Sequence, residues 1–234
     1  MFFRTALSAL ALTGLLTFSA QAVPLYNQAF LNNLGWSSQN DPIGPEGNFA
    51  TVYENFTLSS DASITDLTWI GGYFGSVTTG TITGWTIQFY ADDILVQGPD
   101  TYTVPGAVLA TESFSGLANQ TLRSGTTYDY SHTLATAVNL QAGVQYWVSI
   151  VPDLVLGNEG HQWEWKNGSG GDGRIVQNWF GSILPDQSPD VAFSLSGNLL
   201  ATEAPELDPG RSTLPLAFVG CILGVLAGRR RVVS

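Results

Sequence analysis

Apolar residues recur at every second position through the middle of the chain. Val52, Glu54, Phe56 and Leu58 share one face of a candidate strand, and Thr65, Leu67 and Trp69 share a face of the next. Trp85, Ile87 and Phe89 alternate with Thr86, Gln88 and Tyr90, and Leu109 to Phe114 and Thr127 to Leu134 continue the series. Val144, Tyr146, Val148 and Ile150 alternate with Gln145, Trp147 and Ser149. His161, Trp163 and Trp165 alternate with Gln162, Glu164 and Lys166, and Val191, Phe193 and Leu195 close the set. A period of two marks a strand with one face buried. No window of 11 residues shows a capped helical stripe. Val23 to Asn48 reads as irregular, because Asn32-Asn33, Asp41-Pro42 and Gly44-Pro45 are loop punctuation. The 26 glycines and many threonines suit strands joined by turns. The pattern predicts an all-β fold, a β-sandwich with jelly-roll-like connections over residues 23–200. No repeat at a fixed period supports a propeller or a solenoid.

Both ends of the chain carry a different pattern. Met1-Phe-Phe-Arg4 is followed by an apolar stretch from Ala6 to Phe18, then Ala20-Gln21-Ala22. A positive start, an apolar segment and an A-x-A site are the parts of a secretory signal peptide, here residues 1–22. At the other end a polar, proline-marked linker (201–213) precedes an uncharged run of 14 residues, Leu214 to Ala227, and then Arg229-Arg230-Arg231. A helix needs roughly 20 apolar residues to cross a full hydrocarbon core. A helix over 214–228 therefore spans only with local thinning or with arginines snorkelling to the interface. The basic tail, 229–234, favours the cytoplasmic side.

This tail resembles a PEP-CTERM sorting signal, in which a Pro-Glu-Pro motif precedes a short hydrophobic helix and an arginine cluster. Pro205-Glu206-Leu207-Asp208-Pro209 stands where the motif is expected, with Leu207 in place of the second proline. The resemblance implies an exported protein held in the inner membrane before an exosortase processes it. It is then released to the cell surface or the extracellular matrix and linked to exopolysaccharide or biofilm material. The body is similar to a recurring type of secreted bacterial β-sandwich, through Asp61-Ala-Ser-Ile-Thr-Asp-Leu-Thr-Trp69, Gly71-Gly-Tyr-Phe-Gly75, Ile87-Gln-Phe-Tyr-Ala-Asp92 and Leu140-Gln-Ala-Gly-Val-Gln-Tyr-Trp147. That similarity implies a fold and no activity.

Charge and cysteine content narrow the function classes. Residues 23–200 hold three Lys/Arg (Arg123, Lys166, Arg174) against 16 Asp and Glu, a balance of −13. Such a surface repels phosphate backbones, so nucleic acid is excluded as a partner. The single cysteine, Cys221, lies in the tail, so the body has no disulfide framework and no thiolate chemistry. No cofactor is expected. Calcium is the one ion that acidic, oxygen-rich loops would hold, and Asn158, Glu159 and Asp172 are its candidate ligands.

The residues give little sign of catalysis. There is no G-x-S-x-G elbow, and His161 and Glu164, three apart on a strand, point to opposite faces. Asp92-Asp93 and Asp172 read as turn aspartates before they read as a glycosidase pair. The reading is a non-catalytic domain. The alternative is a carbohydrate-binding module in which Trp163 and Trp165 stack on a sugar, with Glu164 and Trp179 beside them and an extracellular polysaccharide as ligand. A secreted glycan hydrolase is the third reading. The sequons at Asn55, Asn119 and Asn167 read as chance in a bacterial exported protein.

Overall fold

The computed structural model describes residues 22–44, 47–74, 82–154 and 162–201. They form thirteen strands: β1 (Val23–Ser37), β2 (Gln39–Asp41), β3 (Gly47–Thr57), β4 (Ala62–Tyr73), β5 (Ile82–Gln97), β6 (Asp100–Ser115), β7 (Thr121–Ser124), β8 (Thr127–Leu140), β9 (Gln145–Leu154), β10 (Trp163–Ser169), β11 (Ile175–Trp179), β12 (Ser182–Gln187) and β13 (Phe193–Leu199). Among the described residues there is no helix. It follows that none is long and apolar enough to cross a membrane there. The expected signal peptide up to residue 21, the expected sorting motif Pro205 to Pro209, the segment 214–228 and Arg229 to Arg231 lie outside the described residues.

The strands build two sheets. One has six strands in the order β10-β1-β13-β4-β8-β7, the other seven in the order β12-β11-β3-β2-β9-β5-β6. Their facing sides supply one core. The alternating positions Val52, Phe56, Leu67, Trp69, Trp85, Ile87, Phe89, Val148, Ile150, Phe193 and Leu195 all enter it. Trp69 stacks on Tyr130 at 5.6 Å between ring centroids, and Trp85 meets Trp163 edge-on at 5.3 Å. Flat rings in offset and edge-to-face contact fill this volume densely and bury large apolar areas.

Two sequence expectations are overturned by irregular pairing. Residues 23–48 were expected to be irregular but include β1 and β2. In β1 the register shifts between Phe30 and Gly35, where Asn32 Oδ1 accepts the Leu34 N–H at 2.9 Å. The asparagine satisfies the backbone locally, as in a turn, while the strand resumes beyond it. In β4 the register shifts between Ile64 and Asp66. The extra residue turns Thr65 off the core face, and Ile64 faces inward together with Leu67.

A further irregularity positions the region of interest. β10 and β13 occupy one row between β1 and β4. Trp165 pairs with Trp36 on one side and Gly71 on the other, while Leu195 pairs with Tyr26 and Leu67. The two strands meet end to end. Lys166 O accepts the Ala192 N–H at 2.8 Å and Asp190 O accepts the Gly168 N–H at 2.7 Å. Only glycine fits at position 168, because a Cβ there would lie 2.5 Å from the Val191 carbonyl. Chain leaves the row at this seam along 169–174 and returns to it at Asp190.

Candidate functional site

The seam first decides the fate of the tryptophans. Trp163 and Trp165 are both 0% exposed. Trp165 Nε1 donates to Ala192 O at 2.9 Å, and Trp163 Nε1 donates to Tyr130 Oη at 3.3 Å. The platform predicted for a sugar on these two rings is therefore wrong, because they face the opposite sheet inside the sandwich. Glu164 is also buried, and its Oε2 pairs with Lys166 Nζ at 2.8 Å. Both faces of β10 are covered, so alternation along it does not separate core from surface.

Trp179 has a different setting. It is part-exposed at the end of β11, edge-on to Phe49 and Phe180. With Trp36, Phe74, Gln177 and the edge of Glu164 it lines a shallow depression of about 350 Å³. Phe74 is more than half exposed there. Two of the four residues named for glycan binding, Trp179 and Glu164, thus border one surface that the other two do not reach.

A second group collects where the row breaks. Glu54, on the inward face of β3, is 0% exposed and accepts the Val191 N–H at 2.8 Å through Oε2. Asp190, 3% exposed, accepts the Gly171 N–H at 3.0 Å and the Gly173 N–H at 2.6 Å. Asp172 accepts its own turn's Arg174 N–H at 3.0 Å and the Asn55 side chain at 3.0 Å. One oxygen from each of Glu54, Asp172 and Asp190 lies within 4.8 Å of the others. Burial pushes the Glu54 carboxyl well above the usual carboxylate range, and the charges of Asp190 and Asp172 add to the rise. The Val191 N–H and Gln28 act in the opposite direction.

Of the calcium candidates, Asp172 alone belongs to this group. Asn158 and Glu159 lie outside the described residues. Glu54 and Asp190 were not foreseen. The one signal in the sequence was a glutamate on the apolar face Val52-Glu54-Phe56-Leu58, which a purely structural strand would fill with another hydrophobe.

The remaining candidates take structural places. Asp92 accepts the Trp147 indole N–H at 2.7 Å and the Gln145 side chain at 2.8 Å, and Asp93 accepts the Ile94 N–H. His132 Nε2 lies 3.1 Å from Glu112 and its ring stacks on Phe114, a contact between β8 and β6. Asn55 and Asn167 are buried, which closes two of the three sequons to modification. A cleft of about 860 Å³ opens between β6 and β8, bordered by Asp61, Leu109, Glu112, Asn139 and Leu200.

No curated protein matches the chain. A family model described as a domain of unknown function, DUF7901, matches residues 25–196, which is nearly all of the two-sheet body. The chain belongs to the DUF7901 family.

Proposed function

We propose that this chain is an exported, exosortase-sorted surface or extracellular-matrix protein, whose jelly-roll-like sandwich is the non-catalytic part displayed outside the cell. The observation that carries this reading is the order of the last thirty residues: Pro205-Glu206-Leu207-Asp208-Pro209, an uncharged apolar run, then Arg229-Arg230-Arg231. An apolar run of 14 residues is a strained permanent anchor, whereas a segment cut away after sorting has no such constraint. The body agrees with life outside the cell. Its −13 balance of Lys/Arg against Asp/Glu over 23–200 keeps it dispersed, and its stability rests on the packed core in place of disulfides. Mass spectrometry of the protein recovered from the producing cells and their medium is expected to find a C-terminus between Pro205 and Asp208. A released, soluble form still ending at Ser234 would refute the sorting reading.

A second reading, glycan binding, keeps one specific support. Trp36, Trp179 and Phe74 border a shallow surface depression with the amide of Gln177. Flat rings beside polar side chains are how extended sugars are held. Trp179→Ala is expected to weaken retention in polysaccharide affinity gels by about tenfold, the worth of one stacking contact of roughly 1.4 kcal/mol. Unchanged retention in gels that do retard the parent protein would remove this depression from consideration.

A further inference from the structure

We propose that the outer face of the six-stranded sheet carries a trough that binds a neutral polysaccharide, with Thr68 and Ser131 on its floor. The alternation that sends Trp69, Tyr130 and Phe193 into the core turns their chain neighbours outward. Asn27 pairs with Ser194, Ser194 with Thr68 and Thr68 with Ser131, so these four side chains form one row across β1, β13, β4 and β8. Two positions along, Ile70 pairs with Asp129 and Asp129 with Thr121. Neighbouring strands lie about 4.8 Å apart, so a row of four spans roughly 14 Å. Short hydroxyl side chains at its centre and longer side chains at its ends border a hollow of about 570 Å³, within the size range of ligand sites.

Irregular segments wall this row and hold its polar groups in place. β1 leaves its register between Phe30 and Gly35, and there Asn33 Oδ1 accepts the Thr127 hydroxyl at 3.2 Å. Thr127 belongs to β8, so the bulge reaches across the sheet and closes one end of the trough. Arg123 lies over the Phe30 ring, 5.1 Å from its centroid, and its Nε donates to Asp129 at 3.0 Å. On the β8 side, Ala118 O accepts the Ser131 N–H at 2.9 Å, and Asn119 Nδ2 donates to Ser131 O and Oγ at 3.3 Å each. On the β1 side, Asn27 Oδ1 accepts the Ser194 hydroxyl. Amides and hydroxyls held in this way are ordered before a ligand arrives, which lowers the entropy cost of binding.

The chemistry of the trough selects the ligand. Its floor is mostly hydroxyl, so it offers little to an acyl chain or an apolar peptide, which gain by burying apolar area. Its two charged residues, Arg123 and Asp129, form an ion pair at 2.9 Å with each other. That pairing leaves no net charge to attract a phosphate, a carboxylate or a cation. Hydroxyls and amides both donate and accept, as the hydroxyls of a sugar do. Sugar rings also carry apolar C–H patches, and Phe30 and Ile70 supply the matching apolar surface. The trough shares no lining residue with the depression beside Trp179, and the inference rests neither on that depression nor on the sorting reading.

Affinity electrophoresis of the full chain in mild detergent tests the trough. The gels contain dextran, a β-glucan, galactomannan or xylan as neutral probes and alginate as the anionic one. Retardation is expected in at least one neutral gel. Thr68→Tyr fills the floor from an exposed strand position that tolerates tyrosine, and is expected to abolish that retardation with Tm unchanged. Asn27→Ala, also at an exposed position, removes one polar partner and is expected to weaken it about fivefold, the worth of one neutral hydrogen bond. Trp179→Ala is expected to leave it intact, which separates the trough from the depression. Passage through all four neutral gels without retardation overturns the proposal, and so does retardation by alginate alone. Retardation that Thr68→Tyr and Asn27→Ala both leave unchanged overturns it as well, and loss of that retardation in Trp179→Ala would assign it to the depression.

Discussion

Trp165→Ala is expected to destabilise the sandwich by about 3–5 kcal/mol, the usual cost of deleting a buried large aromatic side chain. The ring is 0% exposed, meets Phe193 edge-on at 5.9 Å and donates its indole N–H to Ala192 O. Alanine would leave a cavity at the point where the row between β1 and β4 is already divided between two strands. It would also remove the donor from a buried carbonyl. The seam cannot collapse to fill the space, because Gly168 already brings two backbones into close contact. Urea unfolding of the variant beside the parent chain measures the cost. Leu122→Ala, at a side chain 61% exposed, is the control and is expected to stay within about 0.5 kcal/mol. A cost for Trp165→Ala as small as the control's would mean that the ring is not in the core. That result would restore the sugar-stacking surface.

The second large effect is expected from Lys166→Met. Lys166 Nζ lies 2.8 Å from Glu164 Oε2, and the two side chains are 3% and 9% exposed. Removing the cation leaves a buried carboxylate without its partner, which costs about 3–5 kcal/mol. Replacing both residues, as Lys166→Met with Glu164→Leu, is expected to recover most of that loss, because no charge is then desolvated. The surface pair Arg123–Asp129, with side chains 39% and 44% exposed, provides the contrast: Arg123→Ala is expected to cost about 0–1 kcal/mol. Denaturant midpoints for the single, double and surface variants form the comparison. A single Lys166 variant no worse than Arg123→Ala would show that water reaches the pair.

Much of the sandwich is visible in the alternation of residues. Trp85, Ile87 and Phe89 fall on the core face as the period of two requires, and so do Val148 and Ile150. The pattern fails where pairing slips. Ile64 and Leu67 both point inward, although three positions apart on a regular strand they would oppose each other. Asn32 and Asn33 look like loop residues, yet they sit in a bulge of β1. Local propensity describes each residue's own backbone and says nothing of the partner strand that carries the chain through an irregular stretch.

The candidate sites were less legible. Alternation distinguishes the two faces of β10 but does not say which face meets the other sheet, and here both are buried. Trp163 and Trp165 therefore looked available from the sequence and are not. Trp179 stands at the surface because β11 ends there, followed by Phe180 at φ 47° and Gly181 at φ 82° in a tight turn. Of the acidic group, Asp172 alone was named from the sequence; Glu54 stood out only as a charge on an apolar face, and Asp190 not at all.

By itself the sequence determined that this body is all-β and that no disulfide supports it. Those properties follow from spacing and composition, which are local. The export and sorting reading also rests on the sequence alone, in the order of segments at its two ends. Only the tertiary structure decided which tryptophans are sealed and which acids converge. Val191 hydrogen-bonds to Glu54 across 137 positions, and Gln28 reaches the same carboxylate across 26. No periodicity spans such separations. They are set by the end-to-end meeting of β10 and β13, which forces glycine at 168 and gathers three carboxylates at the break.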